Sequence, residues 1–302
     1  IKAGLMYGMA EFYGGGAFVI INTFFLVFLT KALGIPAALA GAIPMVGKVW
    51  DAVTDPVMGN ITDRTVSRFG AKRLYVLVGG VVSAISFVML WTTIPSGNTT
   101  MLFIYYIVMY CLFSTGFTII MVPYNGLLPD MIDSYTVRAK FSSIRMIWST
   151  IGAIAAGMIP TLLIKDTLNT GMYLKVAILF GFMFGFSAIV TFAGTWEKLK
   201  NPVRTRLADS FSEAASVFKS RSFRIFIGIY LSGQCAMDFV SGMAIYYVDE
   251  VLNGYGSGYL IMLMGVLMVS QLLGMLVFTP IMTRTSKRTT ILIGAPIRIV
   301  ST

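Results

Sequence analysis

The sequence predicts an all-α polytopic membrane protein, and three observations carry that prediction. Of its 302 residues 57% are hydrophobic and only 12% are charged, against about 25% charged in a soluble domain. Mean hydropathy is +0.81, and the apolar residues fall in runs that match the roughly 20 residues a bilayer-spanning helix needs. Basic residues, thirdly, collect in alternate connections between those runs. A soluble globule of this size would have too few charges to cover its surface. Histidine is absent, which excludes imidazole metal ligands and His-dependent acid–base or nucleophilic chemistry. Cys111 and Cys235 lie far apart in apolar stretches, so neither a disulfide framework nor a zinc site is expected.

Eight apolar runs fall near 4–29, 37–58, 74–94, 101–128, 142–164, 172–195, 225–248 and 258–281, and a ninth begins near Thr290. Loops are marked by the breakers Gly34-Ile35-Pro36, Pro95-Ser96-Gly97-Asn98 and Asn253-Gly254-Tyr255-Gly256. The chain opens at Ile1 and its ninth run is cut at Thr302, so a longer parent chain is expected. After the second run come Arg64, Arg68, Lys72 and Arg73, and after the fourth Arg138 and Lys140. Seven basic residues lie between Lys198 and Arg224, and Arg284, Lys287 and Arg288 follow the eighth run. The opposite connections offer Lys31 and Lys165, with Lys175 just inside the sixth run. By the positive-inside rule the even connections and the N-terminus are cytoplasmic. The net charge of +10 is thus a matter of topology, and no nucleic-acid partner is expected.

Residues 196–224 form the one long hydrophilic connection. Leu207, Phe211, Ala214 or Ala215, and Phe218 recur there at helical spacing, which predicts an amphipathic helix on the cytoplasmic surface; a plain linker is the alternative. Six runs precede it and at least three follow. The expected organisation is a six-helix domain over 1–195, the linker over 196–224, and a truncated second transmembrane domain over 225–302.

Ionisable residues inside a span are costly and point to function. Glu11, Asp51, Asp55 and Asp238 are the acids at membrane depth, and Lys48 and Arg145 the bases. Lys48, Asp51 and Asp55 stand at i, i+3 and i+7 of one run and share a helical face. Two carboxylates so placed supply hard oxygen ligands for a small cation, or share a proton. Lys48 would offset their charge when no cation is bound. A salt-bridged cluster that only fixes packing is the competing reading.

Around these acids runs Trp50-Asp51-Ala52-Val53-Thr54-Asp55-Pro56-Val57-Met58-Gly59-Asn60-Ile61-Thr62-Asp63-Arg64-Thr65, then Arg68-Phe69-Gly70-Ala71-Lys72-Arg73. This stretch resembles the second span and following loop of the glycoside–pentoside–hexuronide:cation symporters, the melibiose permease family of the major facilitator superfamily. Val122-Pro123-Tyr124-Asn125-Gly126-Leu127-Leu128-Pro129, then Asp133, Arg138 and Arg145, and finally Gly242 through Tyr246-Tyr247 extend the likeness over essentially the whole chain. The resemblance implies the six-plus-six major facilitator fold, of which eight to nine spans are present here. It implies secondary active transport by alternating access, no enzymatic activity, and an inner (plasma) membrane location. Asp51 and Asp55 correspond to the acids that bind the coupling Na⁺, Li⁺ or H⁺, helped by Thr54 and Thr118; no other cofactor is implied. Arg145 corresponds to an arginine that reaches a substrate oxygen. Gly59, Asp63 and Arg64 match a cytoplasmic Gly-x-x-x-Asp-Arg element, with Gly59 allowing close helix approach and Asp63 and Arg64 latching neighbouring helix ends; an ordinary charged turn is the alternative.

Departures bear on substrate. The two positions where melibiose-type members grip the sugar with aspartates are Gly15 and Met121 here, and an aromatic is replaced by Asn125. Glu11 lies one turn from Gly15, while Gly14-Gly15-Gly16 suits close helix packing. The candidate substrate residues are therefore Arg145, Lys48, Glu11, Met121, Asn125 and Asp238. With Lys48 occupied by Asp51 and Asp55, Arg145 would be the cation most available to a ligand, and an anionic glycoside or uronide is expected; pairing of Arg145 with Glu11 or Asp238 to hold helices together is the alternative. A monomer in the bilayer is expected, with a small solute and a cation as partners. Rival readings are a proton-coupled exporter or amphiphile transporter of the same fold, a transport-inactive receptor, and a membrane prenyltransferase using Asp51, Asp55 and Asp63. Gly59 stands where that enzyme would want another acid.

Overall fold

The computed structural model describes residues 2–95, 97–197 and 216–251, together with helical positions 259, 262, 265, 266, 269, 270 and 273. The first apolar run forms α1 (Lys2–Gly8) and α2 (Ala10–Ile20), continued by π-helical turns at Ile21–Phe25 and Phe28–Ala32. Then come α3 (Ala37–Arg64), α4 (Ala71–Leu90), α5 (Thr99–Met131), α6 (Tyr135–Leu163), α7 (Thr170–Gly194) and α8 (Arg221–Tyr246), which ends in a third π turn at Tyr247–Val251. Six spans thus precede residue 196, as the run count requires, and a seventh follows.

Punctuation in the sequence explains the ends. Gly34 takes a positive φ of 71°, which a side chain would resist, and Pro36 stands immediately before the first residue of α3. Asn98 and Asn169 cap α5 and α7, their side-chain oxygens accepting from Thr100 N at 2.9 Å and Gly171 N at 3.0 Å. Helices also outrun the apolar runs. α6 starts at Tyr135 rather than 142, because a turn bearing Arg138 and Lys140 stays helical outside the apolar layer. α8 starts at Arg221, so the last four residues of the expected linker belong to a helix. Stretch 198–215 of the expected amphipathic helix, the turn at 253–256, most of the eighth run and the ninth run lie outside the described residues, so the expected count of eight to nine spans is not confirmed.

Six stretches of the described residues are long and apolar enough to cross a membrane. α3 is not among them, although its 28 residues reach about 42 Å. Lys48, Asp51, Asp55, Asp63 and Arg64 lower its hydropathy, and a span that carries such groups has to face protein or a watery cavity.

Small residues set the helix spacing, as expected where lipid gives no hydrophobic drive to helix association. A Cβ on Gly15 would collide with the Ser149 carbonyl, and one on Gly152 with that of Phe12. Hence α2 and α6 touch backbone to backbone, and Gly14-Gly15-Gly16 serves packing as its composition suggested. A ring cluster of Phe25, Phe28, Trp91, Tyr106 and Tyr173 fills the bundle beside the two π turns of the first span.

Candidate cation and substrate site

α3 and α5 run parallel, and their side chains meet in one repeated register. A Cβ on Gly47 would strike the Tyr110 ring. Four residues on, Asp51 Oδ1 accepts from Ser114 Oγ. Four more, and Asp55 Oδ1 accepts from Thr118 Oγ1 at 2.7 Å. Gly59 then faces Val122. Rows at i, i+4, i+8 on one helix thus fit the matching row on the other. Trp50 Nε1 donates to Thr115 Oγ1 at 2.8 Å and fixes the same register from the side. Thr54 Oγ1 donates to the Trp50 carbonyl at 3.1 Å and lies 3.5 Å from Thr118 Oγ1.

Two carboxylates and three hydroxyls therefore gather between α3 and α5. Each carboxylate has one oxygen held by a hydroxyl, which leaves the other for a ligand. Such a set of hard oxygens suits a small cation. Ser114 was missed in the sequence, yet it stands four residues before Thr118, the spacing that already pairs Asp51 with Asp55.

Lys48 departs from expectation. No ion pair within 4 Å joins it to Asp51 or Asp55; its Nζ sits 4.7 Å from the centroid of the Phe18 ring. Gly47 is seated against Tyr110 of α5, and the Lys48 side chain extends toward Phe18 of α2, out of ion-pairing reach of the two acids on its own helix. Arg145 departs too. Its Nε donates to Glu11 Oε1 at 2.5 Å, Nη2 pairs with the same carboxylate, and Nη2 also donates to Asn125 Oδ1 at 2.5 Å. The guanidinium lies 4.8 Å from the Tyr124 ring centroid. Arg145 is accordingly the satisfied cation and Lys48 the available one, the reverse of the sequence expectation. Met121 is buried beside Gly14, close to Glu11, so Glu11, Met121, Asn125 and Arg145 form one cluster among α2, α5 and α6.

Asp238 belongs elsewhere. Asn22, on the first π turn, donates to its Oδ1 at 2.9 Å, and Gln234 does so at 3.1 Å. Nearby, Thr30 bonds the Tyr246 hydroxyl and Lys31 Nζ pairs with Glu250 at 3.1 Å. α8 meets the first span at this end. A cavity of about 240 Å³ remains between them, lined by Asn22, Lys48, Tyr110 and Asp238 among others.

The expected latch residues stand at the other end. Gly59 has open space at its Cα, the nearest atom to a Cβ there being Val122 Cγ1 at 3.9 Å, so close helix approach is not what it provides among the described residues. Asp63 and Arg64 are exposed at the end of α3. Anchoring at this end comes from residues the sequence did not single out. Lys72 Nζ reaches Asp130 at 2.6 Å and the Gly126 carbonyl at 2.9 Å, while Glu197 Oε2 accepts from the backbone of Lys72 and Arg73 at the start of α4.

With this geometry in view, the likeness to known proteins is consistent. Residues 6–302 match the model of the family described as MFS/sugar transport protein. The chain belongs to that family. Its members are transporters of the major facilitator superfamily, and this is a multi-pass membrane protein rather than an enzyme. An uncharacterized symporter of Synechocystis is 36% identical over 156 residues, half of this chain and 28% of the relative. The inner membrane symporter YicJ of Escherichia coli is 27% identical over 261 residues, 84% of this chain and 55% of the relative. A zebrafish protein named sodium-dependent lysophosphatidylcholine symporter 1-A is 31% identical over 146 residues, 47% of this chain and 27% of the relative. The matched regions thus span about half or less of these relatives' lengths.

Proposed function

We propose that the complete protein is a cation-coupled symporter, with Na⁺, Li⁺ or H⁺ bound at Asp51 and Asp55 and a small polar organic solute carried by alternating access. The observation that carries this reading is the α3–α5 register, which sets both carboxylates against Ser114 and Thr118. Hydroxyls that donate to the carboxylates without a cation can turn their lone pairs to one when it arrives. Discharging two neighbouring acids removes their repulsion and makes it easier for the helices to close around the site. Relatives named symporters and the sugar-transport family description support solute uptake, and the zebrafish relative's name supports sodium. The basic connections support a cytoplasmic N-terminus in an inner membrane. A lipid-like amphiphile is the second reading, favoured by that same relative.

Reconstituted full-length protein tests the proposal. Asp51→Asn and Asp55→Asn should each reduce cation-driven accumulation at least tenfold, at an unchanged level of folded protein. Undiminished energised uptake in both variants would place coupling at other residues.

A further inference from the structure

We propose that the cavity between Lys48 and Asp238 is a substrate subsite for a small solute with an anionic group at one end and hydrogen-bond donors at the other. This rests on the symport reading above and adds the recognition chemistry. Three observations support it. Among the described residues Lys48 makes no ion pair within 4 Å, and it is held over Phe18 beside the cavity. Among the described residues Asp238, across the cavity on α8, has amide donors alone, and both bond the same oxygen. Its other oxygen is free to accept. Glu11 and Asn125, by contrast, already engage the Arg145 guanidinium, which leaves Lys48 as the cation at membrane depth able to receive an anion.

Lys48 is exposed and Asp238 half-buried, and an unpaired charge at either place becomes costly once bilayer and the rest of the protein cover the cavity. A solute that neutralises one end and donates to the other removes both costs together. A volume of about 240 Å³ lies just below the range of drug-sized pockets, which starts at roughly 300 Å³, so the occupant is the size of a single sugar or amino acid. Its carboxylate would meet Lys48, and its hydroxyl or ammonium groups would donate to Asp238. Asn22 and Asp238 come from the two ends of the described chain, so the solute would bridge the first span and α8.

The position also explains coupling. Lys48 precedes Asp51 by one turn, so a cation at Asp51 and Asp55 cancels negative potential that otherwise repels an anion at Lys48. The cation and the anion should therefore tighten each other's binding reciprocally, by about tenfold within the usual span of coupling.

Calorimetry on the full-length protein in lipid nanodiscs tests this, with galacturonate as the probe, galactose as its neutral partner, and alanine as the zwitterion. Galacturonate or alanine should bind at least tenfold tighter than galactose, and tighter again with Na⁺, Li⁺ or a lowered pH. Preference for galacturonate identifies hydroxyl donors at Asp238, and preference for alanine identifies an ammonium. Lys48→Gln should abolish the preference for the charged probe, Lys48→Arg should restore it, and Asp238→Asn should weaken whichever probe binds. Thermal stabilisation by the coupling cation is followed in parallel on the unaltered protein. Loss of that stabilisation in the unaltered protein would refute the symport reading. If it persists, three results would overturn the subsite: equal binding of galactose, no response to Lys48→Gln and Asp238→Asn, or binding of lysophosphatidylcholine alone.

Discussion

Two sets of charges sit at membrane depth in this bundle, and they are built on opposite plans. Glu11 and Arg145 join α2 to α6, where glycines bring the backbones into contact, and the guanidinium is further occupied by Asn125 and Tyr124. Lys48, Asp51 and Asp55 share α3, yet the lysine turns to a ring and the acids to hydroxyls. The first set resolves its charge internally and holds helices together. The second has no ion pair within 4 Å among the described residues, and its acids keep one oxygen each for a ligand. Acids and bases within one membrane-spanning domain thus differ in what stands opposite them, and the proposed function assigns the ligand to the set whose carboxylates meet only hydroxyls among the described residues.

The largest effect expected from this contrast is on folding. Glu11→Ala leaves Arg145 without its carboxylate in a site where the arginine is only 26% exposed. Breaking such a pair should cost about 3 kcal/mol, the low end for buried ion pairs because water reaches one side. Asp55→Ala removes an acid whose one hydrogen-bond partner among the described residues is the Thr118 hydroxyl, and its cost should stay within about 1 kcal/mol. Denaturation of the two variants side by side checks this, and equal losses would erase the distinction between the sets.

An intermediate effect is expected on cation affinity. Ser114→Ala and Thr118→Val each remove an oxygen from the α3–α5 site while keeping the packing volume close. Each should weaken cation binding about tenfold, near the 1.4 kcal/mol that corresponds to one decade, with little change in melting. Asn125→Ala, in the other set, should leave cation binding unchanged. A cation titration of the three variants reads this directly.

How much of this was legible in the sequence follows from the range of the interactions. Run lengths and breakers located the helices, because helix length and caps are local properties. The shared face of Lys48, Asp51 and Asp55 was legible too, since it needs only the helical period. What lay opposite that face was not. Asp238 meets Asn22 across 216 residues of sequence, and no periodicity reports such a contact. Lys48 was assigned to the acids by proximity along α3, but its side chain extends toward Phe18 of α2. Arg145 was expected to be available to a ligand, with a pair to Glu11 or Asp238 as the alternative, and it is the Glu11 pair that forms. That contact depends on the glycine-mediated approach of α2 and α6, which places the elements before it places the charges.

The smallest effect should come from Thr54, and it discriminates between resemblance and geometry. Its position matches a residue that helps hold the coupling ion in the symporter family, which would rank it with Ser114 and Thr118. The geometry ranks it lower. Its hydroxyl donates to the Trp50 carbonyl at 3.1 Å, within its own helix, and lies 3.5 Å from Thr118 Oγ1 with no direct bond to either carboxylate. A hydroxyl donating to its own backbone still has lone pairs, but to serve as a ligand it would have to be drawn in by the cation. Thr54→Val keeps the β-branched shape favoured by the local packing and should weaken cation binding threefold or less, against about tenfold for Thr118→Val. If the two variants lose affinity equally, the cation draws Thr54 into the site on binding, and the functional set on α3 rearranges when occupied. If Thr54→Val is nearly silent, the site is already formed by the four groups that face one another across α3 and α5.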